Sequence, residues 1–120
     1  MRALGNIGEQ LAAEYLISQD YEILVKGYRW KHGEIDIIAQ DKTCAKKVLA
    51  FIEVKYYKVN SLRNLRTAVS AAKQKHIVRT AERYLREHRI TDSYVRFDVV
   101  LISYTSTAQK IDLIKDAFRG

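Results

Sequence analysis

Apolar residues recur with a period of about 3.6 in some segments of the chain and with a period of two in others. The period near 3.6 predicts helices. The spacing of Ile7, Leu11 and Tyr15 places three apolar side chains on one face of a helix. We therefore predict a first helix over residues 7–18. Asn6 is its expected N-cap, because a short polar side chain there can accept a hydrogen bond from the first turn.

A second, longer helical pattern spans residues 67–87 and separates the predicted strands into two groups. The side chains that this pattern buries are Val69, Ala72, Ile77, Ala81, Tyr84 and Leu85. The outer face carries four cations at helical spacing, here called the basic stripe: Lys75, Arg79, Arg83 and Arg86.

Segments with a period of two, or with a short continuous apolar run, predict strands. These strands span residues 21–30, 34–40, 48–57 and 94–104. We expect a bulge or bend near Gly27 in the first of them, because an interior glycine often marks one. Residues 111–117 fit either a short edge strand or a terminal turn.

The order of elements is helix, three strands, helix, then one or two strands, which indicates an α/β fold. The first three strands form an antiparallel meander, whereas the long helix between the third and fourth implies that these two run parallel. The 120 residues include no proline and no low-complexity tract. We therefore expect one domain over residues 1–120, with a mixed sheet flanked by helices.

Two of the predicted strands carry acidic residues inside apolar runs. Because side chains alternate between the faces of a strand, Glu53 and Lys55 share the face of Phe51. On the preceding strand, Asp36 shares the face of Ile38. If the strands are neighbours, two carboxylates meet, and at about 4 Å they repel by roughly 4 kcal/mol at an effective dielectric near 20. A divalent cation relieves that repulsion, and such an arrangement is typical of nucleases.

The net charge of +7 is concentrated in one part of the chain. Residues 55–89 carry ten Lys or Arg and two acidic residues, so this stretch holds a charge of +8. A one-sided basic surface indicates a polyanionic partner, and nucleic acid is the first candidate. The alternative is that the basic stripe is a solvated face that keeps the protein soluble.

The remaining composition favours a cytoplasmic protein without a membrane segment. The longest apolar run, Val48–Ile52, has five residues, whereas a span of the bilayer needs roughly 18. The first residues lack the apolar stretch of a secretory signal. Cys44 is the single cysteine and forms neither an internal disulfide nor a cysteine cluster for zinc, which fits a reducing compartment.

The order of elements and the acidic motif together resemble a known group of nucleases. Asp36, followed on the next strand by Glu53-Val54-Lys55, is similar to the motif of the PD-(D/E)xK, restriction-endonuclease-like fold with its αβββαβ core. More specifically, the chain resembles the bacterial YraN-like family, which is related to Holliday-junction resolvases. The segments that carry this resemblance are Gly8-Glu9, Ala12-Ala13, Tyr15-Leu16, Gly33-Glu34-Ile35-Asp36, Phe51-Ile52-Glu53-Val54-Lys55 and Arg96-Phe97-Asp98-Val99-Val100.

The resemblance implies an endonuclease that uses Mg²⁺ or Mn²⁺ and acts on DNA, for example on branched or repair intermediates. Asp36 and Glu53 would bind the metal, with the carbonyl of Val54 as a third oxygen. Lys55 would position the attacking water or stabilise charge on the phosphate, and Glu9 would be an additional acid of the site. The residues expected to contact nucleic acid are Arg29, Lys73, Lys75, Arg79, Arg83 and Arg86. A homodimer would allow two strands to be cut symmetrically.

Each of these assignments has a structural alternative. Asp36 and Glu53 could be half-exposed charges at strand ends, and Glu9 could be a capping-box acid in the first turn of its helix. We expect Glu34 to be a neighbouring acid outside the ligand set. Asp98 lies inside an apolar strand, so we expect it to pair with a buried donor.

Two other functions fit the sequence. The first is a non-catalytic nucleic-acid-binding module whose acidic site is vestigial. The second is a protein-interaction partner that uses an apolar C-terminal edge around Ile111, Leu113 and Phe118. The chain also departs from the YraN-like pattern at Tyr57, where the family often has an arginine, and this removes one expected phosphate contact.

Overall fold

Five strands form one mixed sheet, and their order in the sheet is their order in the chain. The computed structural model describes residues 3–31, 33–59 and 69–120. The elements are α1 (Ala3–Ser18), β1 (Tyr21–Trp30), β2 (Gly33–Asp41), β3 (Val48–Lys58), α2 (Ala71–Glu87), β4 (Tyr94–Tyr104) and β5 (Gln109–Phe118). β3 and β4 are parallel, and the other neighbours are antiparallel. The predicted α/β class and strand directions are confirmed, and the architecture is compatible with a restriction-endonuclease-like core.

The two helices cover opposite faces of the sheet. Ala12 and Leu16 of α1 pack on the face that presents Ile52. Ile77 of α2 packs on the other face, against Phe51 and its neighbours. Burial of such a side chain contributes about 1.5–3 kcal/mol, so these contacts hold both helices against β3. In the described part of the chain, neither helix is long and apolar enough to cross a bilayer.

The first helix is longer than predicted, because it begins at Ala3. Asn6 therefore lies inside α1, and its assignment as the N-cap is wrong. Ile7 is 46% exposed, so it does not belong to the buried face. That face consists of residues further along the helix, among them Ala12 and Leu16.

The second helix begins later than predicted, because Ser70 caps it. The Oγ atom of Ser70 accepts a hydrogen bond from the backbone N–H of Lys73 at 3.2 Å, and the helix starts at Ala71. The predicted start, residue 67, lies outside the described residues. The predicted apolar residues that are buried are Val69, Ile77, Ala81 and Tyr84. Ala72 is exposed instead, because it lies on the far side of the helix axis.

The first strand is irregular near Gly27, as predicted, and the irregularity begins a few residues before it. The register between β1 and β2 shifts between Ile23 and Val25, whereas the pairs on both sides of Gly27 remain in register. Gly27 itself has a φ of +69°, a left-handed conformation that favours glycine. The predicted bulge thus exists a few residues earlier, and Gly27 supplies a change of backbone direction inside the paired region.

The C-terminal segment forms the edge strand β5 and not a terminal turn. Ile111 and Leu113 are half-buried against the α1-side core, and Phe118 is buried in the α2-side core. The apolar edge considered as an interaction surface is therefore largely used within the protein itself.

Candidate metal centre

The backbone ladder between β2 and β3 ends just before the predicted acidic pair. Its last paired residues are Ile37 and Ile52, so Asp36 and Glu53 lie one position beyond it. There the Asp36 side chain replaces a backbone partner, because its Oδ2 accepts a hydrogen bond from the N–H of Val54 at 2.8 Å. The structure thus brings Asp36 and Glu53 together where the two strands separate.

The regular alternation of β2 is broken at Asp36. Ile35 and Ile38 both pack on the α2 side of the sheet, whereas Ile37 packs on the α1 side. Gly27, with its left-handed backbone, lies opposite this break in β1. Strict alternation of side chains along β2 therefore fails between Ile35 and Ile37, the two neighbours of Asp36.

Three acids approach one another at this break. One carboxylate oxygen each from Glu9, Glu34 and Asp36 lies within 4.8 Å of the others. Because α1 begins at Ala3, Glu9 lies in the helix interior, so the capping-box alternative for Glu9 is wrong. Glu34, expected to be a neighbouring acid outside the ligand set, has a carboxylate oxygen within the same 4.8 Å of Asp36 as that of Glu9. Its spacing of two from Asp36 on one strand is the signal that could have found it.

Glu53 is the most enclosed acid of the site, with 4% of its side chain exposed. Its Oε2 atom lies 3.4 Å from Nζ of Lys55 and 3.6 Å from Nζ of Lys73 in the first turn of α2. Its Oε1 atom is buried and accepts no hydrogen bond from any described residue. A buried polar atom without a partner costs about 1–3 kcal/mol, so a cation bound to this oxygen would relieve that cost.

The protonation of Asp36 reflects the same crowding. Burial raises the pKa of Asp36 to about 8, and the nearby Glu53 and Glu9 carboxylates add to the shift. The hydrogen bond from the Val54 N–H acts in the opposite direction but does not cancel it. Near neutral pH the site therefore favours a proton or a cation beside Asp36, since bare carboxylates this close repel one another.

The donor set suits a hard divalent cation. Asp36 and Glu53 offer carboxylate oxygens, and Glu9 and Glu34 add two more beside Asp36. Because the N–H and C=O of one strand residue point to the same edge, the carbonyl of Val54 should also point to the edge of β3 that faces β2. Oxygen ligands of this kind are those that Mg²⁺ and Mn²⁺ prefer. The residues thus fit the metal that the motif implies.

Basic side chains lie next to the acids and along α2. Arg29 is 60% exposed at its side chain, and its Nη2 lies 3.4 Å from Oε1 of Glu34. The members of the basic stripe that are exposed are Lys75, Arg79 and Arg86. Arg83 differs, because it is half-buried and its Nη2 lies 3.8 Å from Oε2 of Glu87. The stripe therefore offers three solvent-facing cations and one that is already engaged.

A second group of buried acids is neutralised within the protein. Asp41 and Asp98 are fully buried, and each accepts a hydrogen bond from Nη2 of Arg96 at 2.8 Å. The Tyr21 hydroxyl also donates to Asp98 at 2.9 Å, and Nζ of Lys115 donates to Asp41 at 3.0 Å. These five residues are here called the Arg96 network. They confirm that Asp98 pairs with a buried donor, and they show that not every buried acid of this sheet needs a metal.

The hydrogen bonds that Asp41 accepts, first from the hydroxyl and backbone N–H of Thr43 and then from Arg96 and Lys115, outweigh the effect of its burial. Burial alone would raise the pKa of Asp41, but donation from hydroxyl, backbone, guanidinium and ammonium groups holds that pKa well below its usual range. Asp36 shows the opposite shift on the same strand. The opposite shifts distinguish Asp41, which is neutralised within the protein, from Asp36, which has no ion pair with a described residue.

Comparison with known proteins matches nearly the whole sequence to one protein family. The profile of the "Uncharacterised protein family UPF0102" matches residues 8–102. A UPF0102 protein of Clostridium perfringens is 37% identical over 120 residues, which cover 98% of this chain and 95% of the relative. One of Treponema denticola is 40% identical over 125 residues, with 98% and 96% covered. One of Caldicellulosiruptor bescii is 40% identical over 121 residues, with 98% of each chain covered. These matches confirm the YraN-like resemblance.

Proposed function

We propose that this chain, which belongs to the UPF0102 family, is a metal-dependent nuclease of the PD-(D/E)xK type that hydrolyses phosphodiester bonds in DNA. The observation that carries the proposal is the meeting of Asp36, Glu53 and Lys55 where β2 and β3 separate. A buried oxygen of Glu53 without a hydrogen-bond partner in the described part of the chain and a raised pKa of Asp36 are the features expected of an acidic site that binds a cation.

Asp36 and Glu53 would hold the metal, with the Val54 carbonyl as a further oxygen and Glu9 and Glu34 as acids that approach Asp36. When bound, Mg²⁺ or Mn²⁺ polarises a phosphoryl oxygen and lowers the pKa of a water molecule. The protein's own contribution is geometric, because the end of the β2–β3 ladder fixes both carboxylates on rigid strands.

Lys55 would act on the phosphate and on the attacking water. Its Nζ lies 3.4 Å from Oε2 of Glu53, and 27% of its side chain is exposed, so it reaches both the acid and an incoming strand. An ammonium fixed in this way can orient a water or neutralise charge that develops on the phosphate. Lys73 lies 3.6 Å from the same oxygen and offers a second ammonium from α2.

A second candidate function is nucleic-acid binding without catalysis. The contacts of Lys55 and Lys73 with Glu53 favour it, because they partly neutralise that carboxylate without a metal. Oε1 of Glu53, which has no hydrogen-bond partner among the described residues, and the raised pKa of Asp36 favour the enzyme. A purely structural site would be expected to satisfy its acids internally, as the Arg96 network does.

A panel of substrates separates these two functions. The protein is incubated with linear, flapped, branched and single-stranded DNA in Mg²⁺, Mn²⁺ or EDTA, beside an Asp36→Asn variant. We expect cleavage that requires the metal and is lost in the variant. Binding of every substrate without cleavage in either metal would favour the non-catalytic module. Molecular mass in solution, measured on the same samples, shows whether paired cuts come from a homodimer.

Mn²⁺ should stabilise the wild-type protein but not an Asp36→Asn, Glu53→Gln double variant. A ligand at a hundredfold excess over its dissociation constant adds about 2.7 kcal/mol to the free energy of unfolding. Thermal melts with and without Mn²⁺ measure this gain as a shift in Tm. Asp112→Asn on β5 is the matched control and should keep the full shift. Equal shifts in wild type and double variant would locate the ion elsewhere.

The basic stripe should determine the salt dependence of DNA binding. Each phosphate contact adds about −0.9 to the slope of log affinity against log salt concentration for duplex DNA. Replacing Lys75 and Arg86 with Gln should therefore make the slope shallower by roughly 1–2 units. The same loss of charge at Lys42 and Lys110, outside the stripe, is the control. Fluorescence anisotropy over a salt series measures both, and equal slopes in all variants would assign the stripe to solubility.

A further inference from the structure

Trp30 stands apart from both apolar cores of the protein. It is the last residue of β1, it is half-buried, and it is the single tryptophan of the chain. Neither core cluster includes it, although an indole carries one of the largest apolar surfaces of any side chain. A partly exposed indole outside the core offers its surface to a ligand.

Two cations lie over the Trp30 ring. Nζ of Lys31 is 4.7 Å from the ring centroid, and Cζ of Arg83 is 5.5 Å from it. Arg83 also lies beside Glu87, with 3.8 Å between Nη2 and Oε2, whereas Lys31 is exposed and its flexible stem can leave the ring face. A cation over the face of an aromatic ring is attracted to it. The arrangement therefore combines an aromatic surface with positive charge.

A cavity of about 180 Å³ opens beside Trp30. Its lining residues are Trp30, Lys31, Gly33, His76, Arg79 and Thr80. Close packing defines its floor, since a Cβ atom on Gly33 would collide with Oγ1 of Thr80. The volume is smaller than the roughly 300–1,000 Å³ of sites for drug-sized ligands, so it suits a single ring system and not a large molecule.

The cavity and the acidic site both include residues of β2. Trp30 pairs with Gly33, which precedes Asp36 by three residues in the extended strand β2, a separation of about 10 Å at 3.3 Å per residue. A nucleic-acid strand with a phosphate at Asp36 therefore has another nucleotide within reach of Trp30. The exposed Arg29 and Arg79 lie at this end of the sheet and supply charge for its backbone.

We propose that Trp30 is a stacking platform for one unpaired base of the strand whose phosphate lies at the acidic site. The inference rests on the proposed nuclease function and narrows its substrate class to strands with unpaired bases near the cut. Stacking on an aromatic side chain requires that the face of the base be exposed, and a continuous duplex does not offer it. The lining cations contact the phosphates while the indole accepts the base.

Contact between a base and Trp30 can be measured by tryptophan fluorescence, because this fluorescence can be excited apart from that of the eight tyrosines. The protein is titrated in EDTA with oligothymidine, and binding is followed by tryptophan emission and by anisotropy of a labelled strand. An abasic deoxyribose-phosphate chain of equal length carries the same charge without bases, and a blunt-ended duplex of two complementary strands hides the faces of its internal bases. Oligouridine distinguishes a DNA strand from an RNA strand as the source of the base.

We expect oligothymidine to quench the emission and the abasic chain and the duplex to leave it nearly unchanged. Quenching by the abasic chain as strong as by oligothymidine would overturn the inference, as would anisotropy binding without quenching. In either case the proposed nuclease function would stand, since cleavage is tested separately. Absence of binding to all nucleic acids would overturn both.

Substitution at Trp30 tests the same contact through affinity. Base stacking on an aromatic residue corresponds to an affinity change of about tenfold. Trp30→Ala should weaken oligothymidine binding by about this factor and leave binding of the abasic chain nearly unchanged. Trp30→Phe keeps an aromatic face and should restore much of the affinity, which separates stacking from a fault in folding. Equal losses for both nucleic acids would contradict the assignment.

Discussion

Asp36→Asn and Glu53→Gln should each reduce metal-dependent cleavage about a thousandfold or more. Polarisation by a metal supplies several kcal/mol of transition-state stabilisation, and about 1.4 kcal/mol corresponds to a factor of ten in rate. Each variant keeps the shape of the side chain but removes a charged oxygen from the metal site. The measurement is the rate of single-turnover cleavage of the best substrate in Mn²⁺, since turnover under excess substrate also reports product release.

DNA affinity separates a loss of chemistry from a loss of structure. In EDTA, both variants should bind DNA about as well as wild type, because neither carboxylate contributes attraction to a phosphate. Asp112→Asn makes the same chemical change on the opposite edge of the sheet and should cut normally. If the double variant cuts as well as wild type, the metal site assigned here is wrong and the activity belongs elsewhere.

Lys55 distinguishes a catalytic ammonium from a surface lysine. Lys55→Ala should lower the cleavage rate but leave the Mn²⁺-induced rise in Tm intact, because it removes no metal ligand. If Lys55→Ala also abolishes the rise in Tm, Lys55 organises the ligands and does not act on the phosphate. Both roles are compatible with the structure, because Nζ of Lys55 lies 3.4 Å from Oε2 of Glu53.

Local periodicity was enough to predict the acidic pair and the sheet around it. The faces of β3 follow from alternation alone, because Phe51 packs on the α2 side, where Glu53 meets Lys73. The parallel pairing of β3 with β4 follows from the helix that connects them. The first feature depends on residues close in sequence and the second on a general rule for the connection between strands, so a single sequence contains the information for both.

The rest of the site depends on contacts that sequence spacing does not encode. Glu9 reaches Asp36 only because α1 packs across the sheet. Asp41 ends β2 before a polar turn, and nothing in that position indicates a pairing with Arg96, 55 residues away. Such pairings arise from the order of the strands and not from any local pattern.

The two kinds of buried acid should respond in opposite directions to the same substitution. Asp36→Asn should stabilise the metal-free protein by about 1–4 kcal/mol, because it removes a carboxylate that repels its neighbours. Asp98→Asn should destabilise it by about 3 kcal/mol, because it removes the charge that Arg96 and its hydrogen bonds neutralise. Urea unfolding in EDTA, compared at equal m-values, measures both changes.

The pH dependence of the free energy of unfolding determines when Asp36→Asn should be stabilising. The pKa of Asp36 is raised in the folded protein to about 8, from an ordinary value near 4. Wild-type stability without metal should therefore fall as the pH rises through this window, because the folded state resists ionisation of Asp36. Asn cannot ionise, so the advantage of Asp36→Asn should be small near pH 4 and reach its full size by pH 8 and above. A constant difference across that range, or a loss of stability in both variants, would mean that Asp36 is paired as Asp98 is and would remove the physical reason for a cation at this site.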